Sequence, residues 1–178
     1  MSNSRRCLIG GNWKCNGTVA EVNEMIRLLN GVDVPSTSEV VIGVPAIHLA
    51  NCKANFKPDI AVSSEDVSVR SGFGAYTGEM TAQMLVDSGI TWAIVGHSER
   101  RDGFGESNEL VAKKVKQAID GGMSVIACIG ENLDERESGV TDEVNGTQLA
   151  AMAAVLAVAD WTKVVIAYEP KWAIGTGK

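Results

Sequence analysis

The sequence is poor in the residues that bind metals or form disulfides. Its 178 residues include two histidines, His48 and His97, and four cysteines that are scattered along the chain. No Cys-x-x-Cys pair brings two thiols together, so the pattern fits neither a zinc site nor a disulfide framework. We therefore expect four reduced thiols and no metal.

The usual cofactor and nucleophile motifs are missing as well. Gly72-Phe73-Gly74 lacks the third glycine of a dinucleotide-binding fingerprint, and Gly177-Lys178 lacks the upstream glycine of a P-loop. No Gly-x-Ser-x-Gly elbow occurs, which leaves a serine hydrolase without its nucleophile motif. These absences argue against a dinucleotide-binding enzyme, a P-loop enzyme and a serine hydrolase.

Basic charge and long apolar segments are also lacking. The chain has 16 Lys and Arg against 22 Asp and Glu, for a net charge of −6. Nucleic-acid binding needs clustered basic residues, and a membrane-spanning helix needs about 20 apolar residues in succession. The first residues are too short and polar for a signal peptide. We expect no nucleic-acid or membrane partner and a cytoplasmic location.

Short apolar, β-branched segments recur along the whole chain. We predict strands at residues 7–14, 40–44, 60–64, 92–95, 125–129 and 164–168. Their almost continuous apolar character is typical of parallel strands that are buried on both faces.

Apolar residues with helical spacing lie between these strands. The predicted helix faces are formed by Val19, Val22, Ile26 and Leu29, by Val111, Val115 and Ala118, and by Met152, Val155, Leu156 and Ala159. Alternation of strands and helices predicts an α/β fold with a parallel sheet. No Pro- or Ser-rich linker interrupts it, so we expect one domain over residues 1–178. The alternation does not distinguish an open doubly wound sheet from a closed barrel.

Titratable residues stand at the carboxyl ends of three predicted strands, where both architectures place their ligand sites. Taken singly, Lys14 is a solvated charge, His97 a structural histidine, and Glu169 the end of a strand before Pro170. Together they supply a cation, a hydrogen-bond donor and a base, which is what proton abstraction next to a carbonyl requires. The glycine-containing segment 173–177 follows the base, and its composition suits a mobile lid whose amides approach an anion.

Five motifs in order add a resemblance that runs along the whole chain. They are Gly-Gly-Asn-Trp-Lys at 10–14, Gly-Ala-Tyr-Thr-Gly-Glu at 74–79, Gly-His-Ser-Glu-Arg-Arg at 96–101, Cys-Ile-Gly-Glu at 128–131 and Tyr-Glu-Pro-Lys-Trp-Ala-Ile-Gly-Thr-Gly at 168–177. The chain closely resembles the triosephosphate isomerase family. The resemblance implies a TIM (β/α)8 barrel and reversible isomerisation of dihydroxyacetone phosphate and D-glyceraldehyde 3-phosphate. The reaction, part of glycolysis and gluconeogenesis, proceeds by proton transfer through an enediol-like intermediate, without metal or organic cofactor.

The resemblance also implies a role for each site residue. Glu169 is the base and His97 the neutral electrophile, a pairing for which this family is itself a standard example, as it is for lid closure. Lys14 supplies positive charge to the substrate, and Asn12 orients it. The other implied site residues are the supporting Glu99 and Cys128, the phosphate-binding Gly175, and the lid residues Trp172, Ala173, Ile174, Gly175, Thr176 and Gly177.

A homodimer is the partner that the resemblance implies. The loop at 71–79 inserts beside Lys14 and Cys15 of the second subunit, with Thr77 reaching its active site. The implied interface residues are Cys15, Glu65, Tyr76, Thr77 and Glu79. From the residues alone, a loop that contains Phe73 and Tyr76 packs equally well on its own barrel.

The chain departs from the family pattern in length. A barrel of this class takes about 250 residues, and only six of its eight strands are recognisable. We expect the sequence to be incomplete at its C-terminus, where the family supplies further phosphate-binding amides. The alternative is an inactive fragment or folding intermediate that needs the missing segment.

Two substitutions also depart from the pattern. Glu65-Asp66 stands where the family usually has Gln-Asn, and a lone buried charge is costly. We therefore expect Glu65 to be protonated in the dimer, with a raised pKa. Lys171 occupies a lid hinge where an aliphatic residue is common. We expect an exposed hinge that tolerates the lysine; the alternative is that the lysine affects lid opening.

Overall fold

A parallel sheet forms the centre of the protein. The computed structural model describes residues 6–176. The strands pair in chain order, and they are β1 Cys7–Asn12, β2 Ser38–Val44, β3 Ile60–Ser64, β4 Trp92–Val95, β5 Ser124–Ile129 and β6 Val164–Tyr168. All six predicted strands are present, and their ends differ from the prediction by two residues or fewer.

Helices connect the strands. They are α1 Val19–Asn30, α2 Leu49–Asn55, α3 Ala82–Asp87, α4 Ser98–Phe104, α5 Asn108–Asp120, α6 Leu133–Glu137 and α7 Thr141–Ala153. Short 3-10 turns occupy Ala46–His48, Val158–Lys163 and Lys171–Ala173. No helix in residues 6–176 is long and apolar enough to cross a membrane.

The sheet curls so that distant strands approach each other. A Cβ atom on Gly10 of β1 would lie 3.9 Å from the Cδ1 atom of Ile126 in β5. Gly43 of β2 likewise leaves space that the side chain of Ile94 in β4 occupies. Strands that are two and four positions apart meet in this way only in a curled sheet, as in a barrel. The prediction of a TIM-type barrel, represented here by six strands, is confirmed.

Each face of the sheet has its own apolar cluster. Val41, Ile94, Ile126 and Cys128 form the inner cluster. The neighbouring strand residues, such as Val95 and Val125, point outward into the larger cluster between sheet and helices. Successive strand residues point to opposite faces, so apolar residues on both faces explain why the strands read as continuous apolar segments.

Two of the helix predictions need correction. Val22 and Ile26 of α1 are buried as expected, but Val19 is exposed at the first turn of that helix. The predicted helix from Met152 to Ala159 is wrong, because α7 ends at Ala153. The Asp160 carboxylate accepts the Ala157 backbone N–H at 2.9 Å and begins a 3-10 turn instead.

Candidate active site

Parallel strands bring the titratable residues to one edge of the sheet. Asn12 is the last residue of β1 and Lys14 follows it, His97 lies two residues after β4, and Glu169 directly follows β6. These are the carboxyl ends of the strands, where barrel enzymes carry their active sites.

Lys14 has a strained backbone that is stabilised locally. Its φ angle is +56°, in the left-handed region that costs a non-glycine residue about 1–3 kcal/mol. The Asn12 side-chain oxygen accepts the Lys14 backbone N–H at 2.9 Å. The bend leaves the Lys14 ammonium 2.9 Å from Oε1 of Glu99, so strain and a local hydrogen bond together set the position of this cation.

The buried His97 ring is oriented by the start of α4. His97 is the N-cap residue, and its Nδ1 atom accepts the Glu99 backbone N–H at 3.2 Å. A ring nitrogen that accepts a hydrogen bond carries no proton, so the neutral ring has its proton on Nε2. That Nε2 atom lies 3.2 Å from Oε2 of Glu169.

Glu169 is held by its backbone while its carboxylate remains available. Its backbone N–H donates to the Ile129 carbonyl at 2.8 Å and extends the β5–β6 ladder. Its Oε2 atom is buried and has no hydrogen-bond partner among residues 6–176. The approach of His97 is therefore close but not aligned as a hydrogen bond, which leaves this oxygen free to accept a proton.

Glu99 connects the cation to the imidazole. Its Oε1 pairs with the Lys14 ammonium at 2.9 Å, and its Oε2 lies 3.5 Å from Nδ1 of His97. Lys14, Glu99, His97 and Glu169 thus form one continuous series of contacts. The structure brings the three predicted catalytic residues together through the predicted supporting carboxylate.

A cavity of about 270 Å³ opens beside this series. It is lined by Asn12, Lys14, Cys15, Ala46, Glu65, Asp66, Met80, His97, Glu99, Arg100 and Phe104. Glu169 lines a second, smaller pocket together with the buried Cys128. Burial raises the pKa of the Cys128 thiol, and the negative charge of Glu169 raises it further. Cys128 is therefore an uncharged neighbour of the carboxylate.

Glu131 is a site residue whose contacts the sequence did not reveal. This fully buried carboxylate accepts hydrogen bonds from the Trp172 indole at 3.0 Å, the Tyr168 hydroxyl at 3.0 Å and the Asn145 amide at 3.2 Å. Burial alone would raise the pKa of Glu131, but these donors outweigh it and lower the pKa to about 2. An ionised Glu131 therefore anchors the first lid residue. Its place at the end of β5 was the one signal available.

The predicted lid begins as a compact turn. The Ala173 N–H donates to the Pro170 carbonyl at 2.9 Å, and the Thr176 hydroxyl donates to the Ala173 carbonyl at 3.1 Å. Gly175 has a φ of +71°, a left-handed conformation that glycine adopts without strain. Gly177, the last predicted lid residue, lies outside the described residues. Phosphate binding by Gly175 stays a prediction.

The predicted interface residues differ in exposure. Cys15, Thr77 and Glu79 are exposed, whereas Tyr76 is half-buried beneath the Arg70 guanidinium, 5.3 Å from the ring centre. Phe73, in the same loop, is 68% exposed. The loop thus packs only in part on its own subunit.

Glu65 is half-buried, and its Oε1 has no hydrogen-bond partner in the described part of the chain. Burial raises the pKa of Glu65 to about 7; the nearby Lys14 backbone N–H opposes this increase and the charge of Glu99 adds to it. Even without a second subunit, the carboxyl is in an environment that favours its protonated form.

Asp66 instead belongs to a network of four charges. The buried Lys114 ammonium lies 2.7 Å from Asp66 and 2.6 Å from the buried Glu106, and Arg100 contacts the same two carboxylates at 3.2 and 2.7 Å. Two cations balance two anions, which offsets the cost of burying them. The network links the end of β3 to α4 and α5. Sequence reasoning missed it because Asp66 lies 48 positions from Lys114 in the chain.

No group of three or more His, Cys, Asp or Glu side chains in residues 6–176 is arranged to hold a metal ion. Glu169, His97 and Lys14 bring a carboxylate, an imidazole and an ammonium group into one region. This set can move a proton next to a carbonyl.

Comparison with known proteins gives a family match along almost the whole chain. The family model described as "Triosephosphate isomerase" matches residues 7–178. The chain is 48% identical over 176 residues to "Triosephosphate isomerase, cytosolic" from Oryza sativa subsp. japonica, an alignment that covers 98% of this chain and 68% of that protein. Since the match extends over almost the whole sequence and includes every strand end described above, the chain belongs to the triosephosphate isomerase family.

Proposed function

We propose that this protein interconverts dihydroxyacetone phosphate and D-glyceraldehyde 3-phosphate by proton transfer. The observation that carries the proposal is the 3.2 Å approach of the Glu169 carboxylate to Nε2 of the buried His97. One group accepts a proton from carbon, and the other donates a hydrogen bond to the oxygen on which charge develops.

The first step forms the enediol-like intermediate. Oε2 of Glu169 removes a proton from C1 of the ketose, and the C–H electron pair becomes the C1–C2 double bond. The C2 carbonyl oxygen takes up the displaced electron pair and receives the Nε2–H hydrogen bond of His97. The free Oε2 atom supports this role, because it needs to break no hydrogen bond before it accepts a proton.

The second step returns the proton to the neighbouring carbon. The C1 hydroxyl passes its proton to the C2 oxygen, and the electron pair of that O–H bond forms the C1 carbonyl. The electron pair of the C1–C2 double bond then takes the proton from Glu169 at C2, so the aldehyde forms and Glu169 is again a carboxylate. A neutral His97 can exchange protons between the two oxygens, because its proton lies on Nε2 and Nδ1 is occupied by the Glu99 backbone N–H.

Positive charge and the lid complete the proposed site. The Lys14 ammonium stabilises the developing negative charge and attracts the phosphate, with its pairing to Glu99 setting its position. Asn12 orients the substrate from the adjacent position. We assign the phosphate to the backbone around Gly175 once the lid closes and excludes water.

We further propose a homodimer that works in the cytosol, in glycolysis and gluconeogenesis. The exposed Phe73 and the cavity beside Lys14 and Cys15 support pairing through the 71–79 loop. The relative from Oryza sativa carries the word cytosolic in its name, which supports the location.

Replacement of Glu169 by Asp tests the proposed base. The change retains the charge but withdraws the carboxylate by one methylene, and misplacement by about 1 Å can cost about 100-fold in rate. We expect a fall in kcat of about that size in a coupled isomerase assay on the protein at its native length, with its intact mass measured on the same sample.

Glu137→Asp, at an exposed position at the end of α6, is the matched control and should keep the wild-type rate. An unchanged kcat in Glu169→Asp would remove Glu169 from the role of base.

A further inference from the structure

An ion pair connects the residue before the lid to a distant helix. The Lys171 ammonium lies 2.6 Å from Oδ1 of Asp102, although the two residues are 69 positions apart. The Lys171 side chain is 24% exposed and that of Asp102 is 61% exposed. We call this contact the hinge ion pair.

The position of Lys171 makes the contact relevant to the site. Lys171 is two residues after Glu169. It is the first residue of the 3-10 turn with which the predicted lid segment begins. Its backbone N–H donates to the Glu131 carbonyl at 3.0 Å. The hinge is therefore fixed by its backbone to the end of β5 and by its side chain to Asp102.

Asp102 lies on the helix that orients the imidazole. It belongs to α4, whose N-cap residue is His97. The adjacent Arg101 donates to the Cys128 carbonyl at 3.3 Å and ties the helix to β5. The hinge ion pair extends this attachment to the segment after β6, so it joins the element that carries the proposed base to the element that carries the proposed electrophile.

We propose that Lys171 and Asp102 are positioning residues that hold the Glu169 hinge against α4 and slow the opening of the lid segment. The attraction between their opposite charges acts at the point where the backbone leaves β6. A hinge with an uncharged residue at position 171 would lack this attachment. The expected effect on kcat rests on the proposed function, whereas the expected effect on opening of the lid segment does not.

The partial exposure of Lys171 and Asp102 sets the size of the expected effect on lid opening. A partly exposed ion pair changes an equilibrium by roughly two- to fivefold, and salt weakens it because mobile ions screen exposed charges. Opening of the lid should therefore depend on ionic strength in the wild type and much less in variants that lack either charge.

Amide hydrogen exchange of residues 171–176 measures this opening whether or not the protein is active. We expect Lys171→Met and Asp102→Asn each to exchange roughly two- to fivefold faster than the wild type at about 50 mM salt, and all three to converge at about 500 mM. The double variant should match the single variants. The charge exchange Lys171→Glu with Asp102→Lys should restore most of the protection.

Lys116→Met is the matched control, because Lys116 and Asp120 form an ion pair within α5 and neither residue belongs to the lid or to α4. It should leave amide exchange at residues 171–176 unchanged. Equal exchange in the wild type and Lys171→Met at low salt, or failure of the charge exchange to restore protection, would overturn the proposal.

Steady-state kinetics then separate positioning from a general loss of stability. We expect Lys171→Met to lower kcat by roughly two- to fivefold with a smaller change in KM, and the charge exchange to recover it. An altered exchange rate with an unaltered kcat would keep the attachment but overturn the positioning role. Absence of isomerase activity in the wild type would contradict the proposed function and leave the exchange result to decide the attachment.

Discussion

At the residue scale, the site depends on side chains whose protonation is set by close neighbours. The Glu99 backbone N–H occupies Nδ1 of His97, which keeps the donor proton on the side that faces Glu169. Donors around Glu131 keep that carboxylate ionised in spite of its burial. At Glu65 the nearby Lys14 backbone N–H offsets burial only in part, and the pKa of its carboxyl rises to about 7. Burial and individual hydrogen bonds together decide the protonation state of these carboxyl groups.

Because the pKa of Glu65 is raised in the folded protein, we expect the free energy of unfolding to depend on pH. This pKa is about 7 in the folded protein against an ordinary value of 4.5. Between these values the folded state binds the extra proton, so the contribution of Glu65 to stability is greatest below about pH 4.5, falls as the pH rises and levels off above about pH 7. We expect Glu65→Gln to remove this decline and to stabilise the protein by roughly 1–2 kcal/mol at about pH 8, after discounting for partial exposure.

Urea unfolding at several pH values between about 5 and 9 measures this difference. Glu137→Gln, at an exposed position, is the control and should follow the wild type. A wild-type and a Glu65→Gln protein that unfold alike over the whole range would contradict the assignment.

At the element scale, the ends of β5 and β6 must lie very close together. Gly130 follows β5, and a Cβ atom there would overlap the backbone of Glu169. The Gln148 side chain from α7 accepts the Gly130 N–H at 3.0 Å and donates to its carbonyl at 3.2 Å. Glycine thus permits the approach, and α7 fixes it.

Gly130→Ala should displace the proposed base. The added methyl group would push the Glu169 backbone away, and a shift approaching 1 Å can cost about 100-fold in rate. We expect kcat to fall roughly 10- to 100-fold while circular dichroism shows an intact fold. Gly146→Ala in α7, where a Cβ atom has open space, is the control and should keep full activity. A Gly130→Ala protein within twofold of the wild-type kcat would show that the contact does not set the position of the base.

The sequence predicted elements better than the contacts between them. All six strands were predictable from their apolar character. Burial on both faces explains that character for the inner strands β2 to β5. The edge strands β1 and β6 contain no buried residue, so the expectation of burial on both faces is wrong for them. The predicted helix at 152–159 was wrong because α7 ends at Ala153, and Leu156 is buried from the segment that follows the helix. The hinge ion pair joins residues 69 positions apart, and no spacing rule relates such positions.

At the scale of the whole molecule, the curled sheet explains how distant residues form one site. Lys14, His97 and Glu169 lie just after strands β1, β4 and β6. The curvature of the sheet turns the carboxyl ends of these strands toward one region. The buried network of Asp66, Arg100, Glu106 and Lys114 joins three elements behind this edge. The chain covers 68% of the length of its relative from Oryza sativa, and the site residues named here all lie within that part.

The proposed homodimer is also a property of the whole molecule. Phe73 is 68% exposed, so Phe73→Ser should barely affect a monomer but should weaken a dimer that buries this ring. We expect sedimentation to give twice the single-chain mass for the wild type and a dissociation constant at least about 10-fold weaker for Phe73→Ser. Val158→Ser, at a position that is 91% exposed and remote in the chain from the loop, is the control. A single-chain mass for the wild type at micromolar concentration would contradict the dimer.

Isomerisation in heavy water tests the central claim most directly, because a proton held by Glu169 can exchange with solvent whereas a hydride passed between carbons cannot. The account predicts that NMR will find deuterium at C2 of glyceraldehyde 3-phosphate formed by the wild type, and that Glu169→Gln will form almost no product. Product without deuterium at C2, or rapid labelled turnover by Glu169→Gln, would contradict it.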